Sequence, residues 1–131
     1  MITTHTDAEK FAEEWAEAWN RRDTEAVLAH FRDDIIFASP TALVVTGSPV
    51  VYGKEALRSY WTAALARTGS IRFSVIRVLW DPARRELAII YLAEIDGRSG
   101  TVSENLIFDD AGLVATAEVF HGVPTPSESA D

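Results

Sequence analysis

Glu104 stands where a carboxyl group needs a reason. Ser99 to Gly122, SGTVSENLIFDDAGLVATAEVFHG, reads as two strands joined by the turn Asp109-Asp110-Ala111-Gly112. With Phe108 facing Leu113 across the turn, antiparallel pairing sets Glu104 opposite Ala117. Side chains alternate between the two faces of a strand. One face then carries Val102, Glu104, Leu106, Phe108, Leu113, Ala115, Ala117, Val119 and His121. The other carries Thr101, Ser103, Asn105, Ile107, Val114, Thr116, Glu118 and Phe120, and is mostly polar. Burying a lone carboxylate among apolar side chains is costly. A carboxylic acid held neutral in such a place can donate a hydrogen bond or move a proton, and its pKa is raised by the apolar surround. The alternative is a structural carboxyl satisfied by Tyr91 or by a tryptophan N–H from a helix.

Tyr91 and His121 share that face. The turn Asp96-Gly97-Arg98-Ser99 sets where Tyr91 falls. A type I′ turn with Asp-Gly central makes it a diagonal neighbour of Glu104, and a type II′ turn with Gly-Arg central pairs the two directly. His121 lies four residues beyond Ala117, roughly 13 Å along the sheet from Glu104 at about 3.4 Å per residue. It reaches the carboxyl only through a ligand or water, and otherwise reads as a rim histidine. Ser39, before Pro40, reads as a turn residue. Other chemistries find little support. His5, His30 and His121 have no metal-ligand spacing, and the chain has no cysteine. No phosphate loop, dinucleotide fingerprint or Ser-His-Asp spacing appears, so neither metal nor cofactor is expected.

The elements that must position these residues begin with a helix capped by Thr6 or Asp7. Phe11, Trp15, Ala18 and Trp19 form its apolar stripe. A shorter helix capped by Asp23 carries Val27, Leu28 and Phe31. Trp15 and Phe31 fit core packing, and Trp19 fits either core or a cavity wall. Ile35 to Pro40 reads as a short strand. Residues 41–52 read as an irregular loop or small hairpin, a candidate flap over a cavity. A third helix opens at Gly53, with Leu57, Tyr60, Trp61, Ala64 and Leu65 as its stripe, and Gly69 ends it. Strands follow at Ile71–Trp80, with Arg72 and Arg77 on opposite faces, and at Leu87–Ile95, apolar enough to look buried on both faces. Residues 1–6 read as a loose lead-in, 7–122 as the domain and 123–131 as a disordered Pro- and Ser-rich tail.

A chain of 131 residues, 47% hydrophobic and 24% charged, is one domain with a real core. Its net charge of −8 argues against nucleic acid, whose phosphates need a basic patch. No apolar run reaches membrane-span length and no signal peptide is evident, so no membrane partner and a cytoplasmic location are expected.

Helices followed by an antiparallel meander make an α+β fold. The segments AEAWNRRDTEAVLAHFRDDIIFASP, GKEALRSYW and ENLIFDDAGLVATAEVFHG resemble the nuclear transport factor 2-like superfamily, which includes SnoaL-like cyclases and ketosteroid isomerases. The resemblance covers about residues 7–122. It implies a cone: three N-terminal helices packed on a strongly curved, mainly antiparallel sheet enclosing an apolar cavity. It also implies that Glu104 stands where the isomerases hold a protonated oxyanion-hole aspartic acid. Trp15 and Trp61 stand where they hold tyrosines, and Ser39 where they hold the aspartate base. Serine without an activator is a poor base, which argues against steroid isomerisation in the strict sense.

The expected site therefore comprises Glu104, Tyr91 and His121 as the chemical groups. Trp15, Trp19, Phe37, Trp61, Ile89, Leu106, Ala117 and Val119 are its expected wall. The expected activity is cofactor-independent acid/base chemistry (isomerase, cyclase, lyase or hydrolase) on a small, largely apolar, cyclic or carbonyl-bearing molecule. The alternatives are a non-catalytic binder of such a molecule and a dimerisation module. A homodimer is expected through the outer sheet face, where Ile90, Leu92, Ile107 and Phe120 project among Glu94, Ser103, Asn105, Thr116 and Glu118.

Overall fold

The first ordered feature is a helix cap. In the computed structural model, which describes residues 1–124, helix α1 spans His5–Asn20 with Thr4 as its N-cap. The Thr4 hydroxyl accepts from the Asp7 N–H at 3.1 Å, and the Asp7 carboxylate accepts from the Thr3 and Thr4 N–H groups. These bonds, led by the one from the Thr3 backbone, hold the Asp7 carboxyl at about 2. The expected loose lead-in is thus the capping box of α1, which starts before the expected Thr6 or Asp7 cap. The 125–131 part of the expected tail lies outside the described residues.

α2 spans Thr24–Leu28 and is capped by Asp23. Phe31, expected on that helix, instead opens strand β1, Phe31–Ala38. Residues 41–52 differ from the expected loop: Pro40–Thr46 forms α3 and Val50–Tyr52 forms β2. Ser39 caps α3 through its hydroxyl, Pro40 takes the first turn and Gly47 closes the helix at φ 86°. The cone therefore has four helices among the described residues, the last being α4, Lys54–Ala66. Leu57, Tyr60 and Trp61 are its buried stripe.

Four long strands complete the chain: β3 Ile71–Asp81, β4 Glu86–Ile95, β5 Arg98–Phe108 and β6 Val114–Pro124. β6 runs two residues past the Gly122 expected as the domain's end. The six strands form one curved, unclosed sheet in the order β2-β1-β6-β5-β4-β3. β1 runs parallel to β6 and every other pair is antiparallel. The hairpin between β4 and β5 turns on Asp96 and Gly97 with φ 52° and 82°, a type I′ turn. The Asp96 carboxylate also accepts from the Gly69 and Ser70 N–H groups, tying this hairpin to the start of β3.

Bulges curve the sheet and change faces locally. One between Val75 and Arg77 puts Arg72 and Arg77 on the same outer face, opposite Glu94 and Ile90. They do not lie on opposite faces, as strict alternation required. Another between Ile107 and Phe108 pairs Phe108 with Val114, so Val114 is buried and Leu113 is partly exposed. β4 alternates buried and half-exposed positions, so it is covered on one face only.

Two side chains lock the helices to the sheet. The Asn20 amide donates to the Phe73 carbonyl at 3.0 Å and accepts from the Phe73 N–H at 2.7 Å, continuing β3 like a strand edge. Arg22, at φ 59°, donates to the carbonyls of Leu65, Thr68 and Gly69 at 2.9–3.2 Å. Those carbonyls lie at the C-terminal end of α4, where a cation is favoured. Arg22→Ala is expected to cost about 1–2 kcal/mol, read as a lower melting temperature, and to speed amide exchange near Thr68 before the rest of the chain.

Candidate functional site

Where α1, α3 and α4 cover the concave sheet face, they leave a cavity of about 150 Å³. Its floor is formed by Glu104 and Val119, paired on β5 and β6, with Ile89 of β4 enclosed beside Glu104 in the same row. The next row toward the open end is Tyr91, Val102 and His121. Glu104 pairs with Val119 and not with the expected Ala117: pairing of Phe108 with Val114 at the turn shifts β6 by one residue, and the Ile107/Phe108 bulge shifts it by a second. A two-residue slide keeps every side chain on its face. It also brings His121 to one row from Glu104, about 7 Å of strand rise and not the 13 Å expected. Tyr91 takes the diagonal position that the type I′ turn dictates.

Glu104 is 5% exposed, and its Oε2 is enclosed with no hydrogen-bond partner. Burial pushes its pKa up to about 8, opposed only by the nearby Trp15 N–H. That N–H faces the carboxyl without completing a hydrogen bond, and Trp15 Nε1 has no other partner. At neutral pH the group is mainly the neutral acid. Tyr91 is raised well above the usual phenol value by burial and then by the nearby carboxyl. Tyr60 is raised by burial, with the Ser39 hydroxyl opposing as a hydrogen-bond partner. Neither tyrosine ionises near neutral pH, so the polar atoms here are hydroxyls and an acid.

Of the expected wall, Trp19, Phe37, Trp61 and Val119 line the cavity together with Glu104, Tyr91 and His121. Trp15, Ile89, Leu106 and Ala117 do not. Leu106 and Ala117 pair with each other one row below Glu104, where the cone is already filled. Ile89 is fully enclosed beside Glu104, and Trp15 packs against Phe73 and Tyr91 behind the wall. Among the lining residues that sequence reasoning missed are Ser39, Thr41 and Tyr60 on the helix side and Phe73, Ala93 and Val102 on the sheet. Ser39 is buried rather than a surface turn residue. Ser39-Pro40 is a helix-start signature that would have revealed α3 and brought Ser39 and Thr41 to the cavity.

The cavity opens through Thr41, Ala93, Ile95, Val102 and His121, which also line a shallower vestibule of about 430 Å³ outside it. Among the described residues no group of three or more His, Asp or Glu converges as metal ligands do, and no helix is long and apolar enough to cross a membrane. The arrangement can present a neutral acid and two phenol hydroxyls to a molecule enclosed by aromatic rings.

A SnoaL-like domain family model matches residues 12–108. The chain is similar to a SnoaL-like protein of unknown function from Burkholderia thailandensis, at 29% identity over 92% of this chain and 98% of that one, TM-score 0.81. It shares its fold with a protein of unknown function with a cystatin-like fold from Methylobium petroleophilum, at 19% identity over 100% of this chain and 86% of that one, TM-score 0.74. A nuclear transport factor 2-like protein from Burkholderia pseudomallei has the fold too, at 17% identity over 88% and 90% of the two chains, TM-score 0.73. No curated protein matches the chain. A family model spanning most of the cone, and the cone itself, lead to one assignment: the chain, which has the fold of nuclear transport factor 2-like proteins, belongs to the SnoaL-like domain family.

Proposed function

We propose that this protein is a cofactor-independent acid/base enzyme acting on a small carbonyl compound held in the cavity. The observation that carries the reading is Glu104, an enclosed carboxyl with an unpartnered oxygen in the floor of an apolar cavity. As the neutral acid it donates to the carbonyl oxygen, assisted by the Tyr91 hydroxyl. The C–H bond beside the carbonyl breaks, its proton goes to the His121 imidazole, and the electron pair moves onto the oxygen facing Glu104. Return of the proton to another carbon isomerises the molecule. Donors fixed in a water-poor site stabilise such developing charge far better than they do in water.

The test is proton exchange into a cyclic enone in deuterated buffer, followed by NMR. Glu104→Gln is expected to slow exchange about a hundredfold, and His121→Ala to abolish it with ketone affinity retained. Unchanged exchange in Glu104→Gln removes Glu104 from the mechanism. Ketone binding without exchange favours a second reading, a non-catalytic binder. One observation supports that reading: the Ser39 hydroxyl, on the helix side of the cavity, is committed to capping α3.

The same reading includes a homodimer through the outer sheet face. Ile107 is 39% and Phe120 49% exposed there, beside half-covered Ile90 and Leu92. Strand β4 is apolar on both faces, yet the helices cover only one. Light scattering at micromolar concentration is expected to give twice the chain mass, and Leu92→Glu the single mass. A monomeric wild type overturns the dimer.

A further inference from the structure

The size and lining of the cavity say more about its ligand than the acid alone does. We propose that it selects one neutral, single-ring molecule bearing a carbonyl or hydroxyl oxygen, with the ring between the aromatic walls and the oxygen at Glu104. This rests on Glu104 being a donor to the ligand, as in the function proposed above.

Volume sets the first limit. An apolar cavity of about 150 Å³ accommodates a single benzene-sized ring. A second ring fused anywhere but at the open end has to displace wall residues, and those are braced. Trp61 sits edge-on to Trp19 at 4.8 Å and to Phe31 and Phe37 at 5.7 Å. Across the cavity, Phe73 is stacked on Trp15 at 5.6 Å and lies 4.7 Å from Tyr91. Moving either wall breaks several ring contacts at once.

Charge sets the second limit. Among the described residues the lining holds neither lysine nor arginine, so an anionic ligand has no partner beside Glu104. An uncompensated buried charge is costly. A cationic amine would be stripped of water in the same enclosure, and pairing with it requires Glu104 to lose the proton that burial holds there. An oxygen acceptor suits the unpartnered Glu104 and the Trp19 N–H, which is buried in the wall without a partner. The open end at Thr41 and His121 leaves room for a short substituent on the ring's far side.

A thermal-shift panel at pH 7 tests this on the full chain with cyclohexanone, phenol, cyclohexanecarboxylate, cyclohexylamine and 2-naphthol. Cyclohexanone and phenol are expected to raise the melting temperature by a few degrees at saturation, and the other three to leave it unchanged. Ala64→Leu, which extends α4 into the cavity with a good helix former, is expected to abolish the shift. An equal shift with 2-naphthol overturns the size limit, and a larger shift with the amine or carboxylate overturns neutrality. No shift with any compound, or full binding by folded Ala64→Leu, overturns the site itself. If Ala64→Leu fails to fold, the wild-type panel alone decides. Binding of the single-ring ketone without proton exchange leaves this ligand class standing and removes the enzyme. Exchange on a two-ring ketone does the reverse.

Discussion

Replacing Glu104 by glutamine is expected to remove most of the fall in stability between pH 5 and pH 8. The folded pKa of about 8 lies above the ordinary glutamate value of 4.5. Between the two, the unfolded chain is ionised and the native protein still carries the proton. Stability therefore declines as pH rises, by about 1.4 kcal/mol for each unit of the window. The contribution is complete below the unfolded value and is lost once pH passes the folded one. Across the window the loss is several kcal/mol, large against the ~5–15 kcal/mol that holds a domain together.

Glutamine does not titrate, so its stability should stay nearly level. The variant should be slightly weaker than wild type at pH 5 and stronger at pH 9. The groups facing the carboxyl are Tyr91 on β4, Tyr60 on α4, His121 on β6 and the Trp15 N–H on α1. The two tyrosines are raised away from the window. His30, lowered by partial desolvation, makes stability rise with pH, and it does so equally in both proteins. Urea unfolding at several pH values reads the difference. Parallel curves for the two proteins remove the neutral acid, and with it the reading of the site.

Trp61→Ala carries the second large effect. Trp61 is 4% exposed and is the common partner of rings on α1 and β1: Trp19, Phe31 and Phe37. Truncation removes the side chain that joins α4 to the sheet and merges its volume with the existing cavity. The expected cost is about 3–5 kcal/mol, enough to unfold a large fraction of a marginal domain at 37 °C. Trp61→Phe keeps a ring edge against the same partners and should cost much less. Excess indole should return part of the lost stability by occupying the space it vacated. A loss under 1 kcal/mol in chemical denaturation means the cluster is not a structural brace, and the rigid wall assumed for the ligand falls with it.

The residues most legible from the chain were those whose role depends on local period. Glu104 alternates with Val102 and Leu106, and no register slip of two residues changes the face it occupies. The stripes of α1 and α4 repeat at helical spacing and are buried as that spacing requires, except Phe11, Ala64 and Leu65, which are only partly covered. Arg72 and Arg77, Val114 and Leu113 were misplaced where a bulge inserts a residue, because a bulge shifts parity without a strong local mark. α3 was missed although Ser39-Pro40 announces it, since Leu43, Val44 and Val45 also suit a strand.

The sequence by itself determined the class of fold and which side chains of β4 and β5 share the inner face of the sheet, because alternation and helical period act through neighbours in the chain. Only the tertiary structure decided that Glu104 and Tyr91 line a space while Ile89 and Leu106 are packed solid. A cavity is what remains after distant side chains have filled a volume, and no single stretch encodes it. The charge state of Glu104 was decided in the same way. It follows from how completely α1, α4 and the neighbouring strands exclude water from one oxygen.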